Sequence, residues 1–222
     1  MSIEKVHLRK LLDLLYADNR RRRKLLLEDI RRDKGKAAGG NDGARDFYGP
    51  FWAAAKAHAS AEADITAQVE ILVSRSKQRA RLYPILRDAF LEMWNEKMRW
   101  RNEPFEFVPR SVKAQLAVEE FGSTIKVENT AAVVTWDGSH RVIYPYFSEA
   151  PNLPEEGARI GFYVLSAALP DYRLDELRIV DFHRRAYLRP ADVGMNGNER
   201  EIFMKRYRQL LDEWKKLRDE RR

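Results

Sequence analysis

The chain contains no cysteine. That one absence excludes disulfides, Cys-ligated zinc, iron–sulfur clusters and a thiol nucleophile, and it fits a reducing cytosol. Histidine is scarce, with four residues. His58 has only Glu62 as a ligand-type neighbour one helical turn away, which is not a metal site. No hydrophobic run approaches the roughly 18 residues of a membrane-spanning helix. The opening residues alternate charges with leucines in place of an apolar signal core, so no signal peptide is expected. A cytoplasmic protein is the resulting expectation. The phosphate-binding pattern G-x-x-x-x-G-K-[ST] and the nucleophile elbow G-x-S-x-G are also missing, which leaves a P-loop and a Ser-His-Asp site without support.

What is present is charge and apolar content. The 222 residues include 41 Lys plus Arg against 34 Asp plus Glu, a net charge of +7, and 44% are hydrophobic. That supplies a packed core for a sizeable domain. The positive balance favours anionic partners such as nucleic acid, although much of the charge belongs on solvated helix faces.

Leucines at helical spacing from Ile3 to about Lys34 predict a long helix or a helical hairpin, an amino-terminal segment covering residues 1–34. Between its leucine groups lie Arg20, Arg21, Arg22, Arg23 and Lys24. Successive helical positions turn by about 100°, so the five cannot all face one phosphate groove. Residues 35–50, rich in Gly, Asn and Asp, read as a linker. The main domain is then 51–222, with helices over 52–101 that include one from Trp52 to about Ile71 and another segment with a break or fresh start at Pro84. Asn102–Arg110 reads as an extended connection. Ser111 resembles the N-cap of a short helix, Val112–Phe121, closed by Gly122.

From Gly122 to Phe147 the chain is rich in β-branched and aromatic residues, with a turn signal at Asp137-Gly138. Strands are expected over 124–127, 131–136 and 141–147, with Pro145 marking an edge or bulge. A helix should open at Leu153-Pro154-Glu155-Glu156, followed by a strand at Leu177–Asp181 that continues toward Leu188. A final amphipathic helix covers 199–220. The fold class is therefore α+β: a helical first half, a small mixed or mostly antiparallel sheet over about 124–188, flanking helices and a long carboxy-terminal helix.

The order helix, three strands, helix, strand over Ser111–Leu188 resembles the αβββαβ core of the PD-(D/E)XK nuclease superfamily. The resemblance implies a divalent metal such as Mg²⁺ held by an acid on the second strand and an E-x-K on the third. It also implies a helper glutamate on the preceding helix, where Glu119 or Glu120 stands. This chain departs from the pattern: Asn129 lies nearest the acidic position, and the third strand reads Tyr144-Pro145-Tyr146-Phe147. Under this alternative the candidate catalytic residues are Glu119, Glu128 and Asp137.

The leading expectation is a non-enzymatic binding or adaptor protein. It would contact nucleic acid or a protein partner through Arg20, Arg21, Arg22, Arg23 and Lys24, and through Arg141, Tyr144 and Tyr146 as a cation beside base-stacking rings. It carries no metal or other cofactor in that reading. A third reading is a helical protein that oligomerises through its leucine-rich ends. His140 beside Asp137 and His183 beside Asp181 read as turn residues.

Overall fold

A computed structural model describes residues 3–37, 46–98, 102–108 and 111–221. Most of the expected linker, at 38–45, lies outside the described residues, as does the end of the predicted helical region at 99–101.

The amino-terminal leucines form a helical pair, preceded by a strand the periodicity did not announce. Strand β1 (Lys5–His7) leads directly into helix α1 (Leu8–Tyr16), whose Leu8, Leu11, Leu12, Leu14 and Leu15 are buried. Asp18 then opens helix α2 (Asn19–Ala37): its carboxylate accepts a hydrogen bond from the Arg21 amide at 2.9 Å, which satisfies an orphan donor. The next expected long helix is two, α3 (Gly49–Ala59) and α4 (Ile65–Ser74). The break comes at residues 60–64, where Ala61 takes a left-handed φ of 60° and Asp64 caps the Ala67 amide at 3.0 Å. A single turn, α5 (Lys77–Ala80), precedes α6 (Tyr83–Glu92), which carries Pro84 in its first turn and runs on into a π-helical turn at Met93–Lys97. Pro84 starts this helix because an N-terminal position has no amide bond to lose.

Two expectations for the following stretch are corrected. The connection at 102–108 contains a paired strand, β2 (Phe105–Phe107). The helix expected at 112–121 is mostly strand β3 (Ala114–Val118), followed by one 3₁₀ turn at Glu119–Phe121. Ala114, Leu116 and Val118 turn inward while Gln115 and Ala117 are exposed, a period of two that overrides local helix preference. Gly122, at φ 58°, closes a hairpin into β4 (Ser123–Val127) where a helix cap was expected. The segment resembling the nuclease core thus begins with a strand in place of its first helix.

The remaining elements are β5 (Ala131–Thr135), β6 (His140–Tyr146), α7 (Glu155–Ala168), β7 (Leu177–Asp181), β8 (Ala186–Leu188) and α8 (Glu199–Asp219). They confirm the α+β class and the long last helix. The strands make two sheets, with orders β1-β4-β3 and β2-β5-β6-β7-β8. β8 is a hairpin partner of β7 and not its continuation. β6 and β7 are parallel, joined through α7 as a βαβ crossover. Pro145 falls beyond the β5–β6 pairing, which ends at Ile143, so its missing amide costs no ladder bond on that side.

The larger sheet is buried on both faces. Ala132, Val142, Tyr144, Tyr146, Leu177 and Ile179 face α1, α7 and α8. Ala131, Ile143, Phe147, Val180 and Phe182 face α3, α4 and α6. The leucines at the two ends of the chain meet in the first of these cores, so their apolar faces are satisfied within one chain. Among the described residues no helix is long and apolar enough to cross a membrane.

Candidate nucleic-acid interface

The packing of α2 sorts its five consecutive cations. Its inner side carries Leu26 and Ile30 into the core, and Asp29 takes the Lys10 ammonium. Arg22 lies on the inner side and pairs with Glu213 of α8 at 2.7 Å, while Arg23 reaches Glu220 at 3.5 Å. Both pairs bridge α2 to the carboxyl-terminal end of the chain, the first half-buried and the second exposed. Arg20, Arg21 and Lys24 point outward and are exposed. At about 100° per residue, Arg31 falls between Arg20 and Lys24 on the helical wheel, and Arg32 falls beside Arg21. Both are exposed as well. Among the described residues none of these five forms an ion pair, and Glu28 is the carboxylate that shares their sector. Sequence reasoning missed Arg31 and Arg32 because it applied the helical wheel to the consecutive run alone.

Arg21 also lies within electrostatic reach of Asp13 and Glu149. It therefore borders a polar seam between α1 and the carboxyl end of β6. There the Tyr146 hydroxyl donates to Asp13 Oδ1 at 3.0 Å, and Arg9 lies 5.1 Å from the centre of the Tyr48 ring. Burial raises the Asp13 carboxyl above its ordinary value, against the opposing pull of nearby arginines. Asp181, at the end of β7, is also raised by burial. It accepts the backbone amides of His183 and Arg184, each at 3.1 Å. Arg184 in turn donates to the Ser148 carbonyl and to Asn152 Oδ1, which fastens the loop after β6. Asp13 carried one signal in the sequence: it is a lone carboxylate inside L-L-D-L-L.

The other candidates fall elsewhere. Tyr144 and Tyr146 are 4% and 0% exposed, which withdraws them as a base-stacking platform. Strand alternation also puts Arg141 on the opposite face of β6 from both rings, where its Nη1 donates to Ser139 Oγ and the His140 carbonyl. Glu119 precedes β4 and Glu128 follows it. Five strand residues separate them, roughly 16 Å at about 3.3 Å each. Asp137 stands at the far end of the five-residue β5 from Glu128. The three carboxylates therefore do not converge. Glu128 lies 3.4 Å from His7 Nδ1, and Asp137 closes its own turn by accepting from Thr135 and Ser139. Those bonds hold the Asp137 carboxyl well below the usual range. Among the described residues no group of three or more potential ligands is placed to hold a metal ion.

No protein-family model matches the chain, and neither a curated protein nor a solved structure is significantly similar to it.

Proposed function

We propose that the protein binds nucleic acid without acting on it chemically, holding phosphate backbones on the outer face of α2. The observation that carries this reading is the set Arg20, Arg21, Lys24, Arg31 and Arg32, exposed on one sector of one helix. From Arg20 to Arg32 the face runs roughly 18 Å along the axis, enough to meet several phosphates of a strand. The side chains gathered there supply charge and hydrogen-bond donors. They include no nucleophile or acid–base pair, so the reading is of a binder. Direct base readout is not part of it, because contacts to phosphate fix position and not sequence.

Fluorescence anisotropy with labelled single- and double-stranded DNA and RNA tests it. Binding should weaken steeply between low and physiological salt, with a log–log slope that counts the phosphates neutralised. No binding at low salt would reduce the α2 face to a solvated surface and turn attention to an acidic protein partner.

A further inference from the structure

Arg178, the second residue of β7, is a charged side chain only 7% exposed. Its guanidinium is fixed from behind. Nε donates to the Tyr187 hydroxyl at 3.1 Å, and Nη1 donates to the carbonyl oxygens of Asp175 and Leu177 at 2.6 and 2.7 Å. Nη2 makes no hydrogen bond among the described residues and is not sealed from solvent. Arg178 lines a cavity of about 460 Å³ whose walls are Leu174, Asp175, Arg189, Pro190 and Ala191.

Among the described residues no carboxylate is committed to this guanidinium. Asp175 is held by both nitrogens of the Arg173 fork, at 3.0 and 3.1 Å, and Asp192 by Arg189 at 2.6 Å. A buried guanidinium without a dedicated counter-ion is costly, and this one is pre-oriented with a free donor on the cavity side. We propose that Arg178 anchors a binding site for a small carboxylate with an apolar body. The carboxylate would sit on Nη2, and the body would lie against Leu174, Pro190 and Ala191. Asp175 and Asp192 remain close enough to weaken the positive field at Arg178, which favours a singly charged carboxylate over a doubly charged phosphate. The proposal is independent of the α2 face and stands or falls separately from it.

The test is a titration of isotope-labelled protein with benzoate, following the Arg178 Nε–Hε signal and the amides of Leu174, Asp175 and Ala191. Methyl benzoate and inorganic phosphate serve as comparisons. Millimolar benzoate should shift these signals saturably, and the neutral ester should not. Phosphate should bind more weakly, and Arg178→Lys should weaken benzoate by about tenfold because the planar fork is lost. Ala191→Trp, at an exposed position on the cavity wall, should abolish saturation while signals elsewhere stay in place. The proposal is overturned by an unsaturable response to benzoate, by an equal response to the ester, by tighter binding of phosphate, or by retained binding in Ala191→Trp.

Discussion

Tyr146 and Asp13 meet at 3.0 Å, hydroxyl to carboxylate, joining the end of β6 to the middle of α1 inside the core. The contact explains two features of the sequence at once. A carboxylate interrupts the leucines of α1, and a tyrosine occupies a fully buried strand position. Burial pushes the Asp13 carboxyl up and the Tyr146 phenol further from ionisation. Each supplies the other with a partner that water no longer provides.

Tyr146→Phe should therefore destabilise the protein by about 1–3 kcal/mol at neutral pH, because it leaves Asp13 buried without its donor. Asp13 has a folded-state pKa above its unfolded value, so its protonated form is the one folding favours. That contribution is present below the unfolded pKa and is lost as pH rises through the folded one. Removing the phenol raises the folded pKa further. The deficit of the variant in urea unfolding should be smallest below the unfolded pKa of Asp13 and should grow as pH rises through the folded ones. A deficit independent of pH would mean that packing, and not the Asp13 contact, is what the ring provides.

Asp181→Asn isolates the second raised carboxyl. Asparagine keeps an oxygen for the amides of His183 and Arg184 and removes the charge. Wild type loses stability as pH rises above the unfolded value of Asp181 through its raised folded one, and the variant has no such loss. The stability of the variant relative to wild type should thus climb as pH rises above the unfolded value of Asp181, about 4, and level off above its raised folded one. The 3.5 Å approach of Arg184 is already contained in the folded value, because it favours the carboxylate and opposes the rise that burial causes. A flat difference across the range would rule out a raised Asp181.

Gly161 of α7, the crossover helix, packs against Ile179 of β7. A Cβ there would lie 2.8 Å from Ile179 Cδ1. Alanine gains about 1 kcal/mol of helix propensity, but overpacking a buried contact costs about 1–3 kcal/mol. Gly161→Ala should therefore destabilise by about 1 kcal/mol on balance. Ile179→Val deletes the obstructing methyl, so the double variant should be less destabilised than the sum of the two single changes. Strict additivity would show that the two residues do not press on each other.

How far these features could be read from the sequence depends on the range of the interaction that fixes each. The α7 and α8 helices, the turn at Asp137-Gly138 and the strands from β4 to β7 follow from local periodicity and turn chemistry, and they were legible. β1, β2 and β3 were not. Each is short, and its conformation is set by a partner strand: Lys5–His7 lies along Thr124–Lys126, and Phe105–Phe107 along Val133–Thr135. The division into two sheets at Asn129, which takes a left-handed φ of 64°, likewise depends on packing. At the candidate interface the cationic run was plain, but only the position of α8 decides which arginines are spent on ion pairs. The stacking role expected of Tyr144 and Tyr146 failed because β6 is covered on both faces.

The division of labour within Arg20–Lys24 gives the sharpest pair of variants. Arg22 is half-buried against Glu213, and the pair is partly screened by solvent, so Arg22→Gln should lower stability by about 0.5–1 kcal/mol. It should leave the salt dependence of nucleic-acid binding in place, because Arg22 faces α8. Arg20→Gln with Lys24→Gln removes two exposed cations that make no ion pair among the described residues. Stability should stay within about 0.5 kcal/mol of wild type, while the slope of log affinity against log salt falls by nearly two on duplex DNA. Urea unfolding and anisotropy on the same preparations measure both quantities. If Arg22→Gln flattened the salt slope as much as the double change, the inner and outer faces of α2 would not be distinguished by the ligand. The proposed interface would then have to move to the α2–α8 seam.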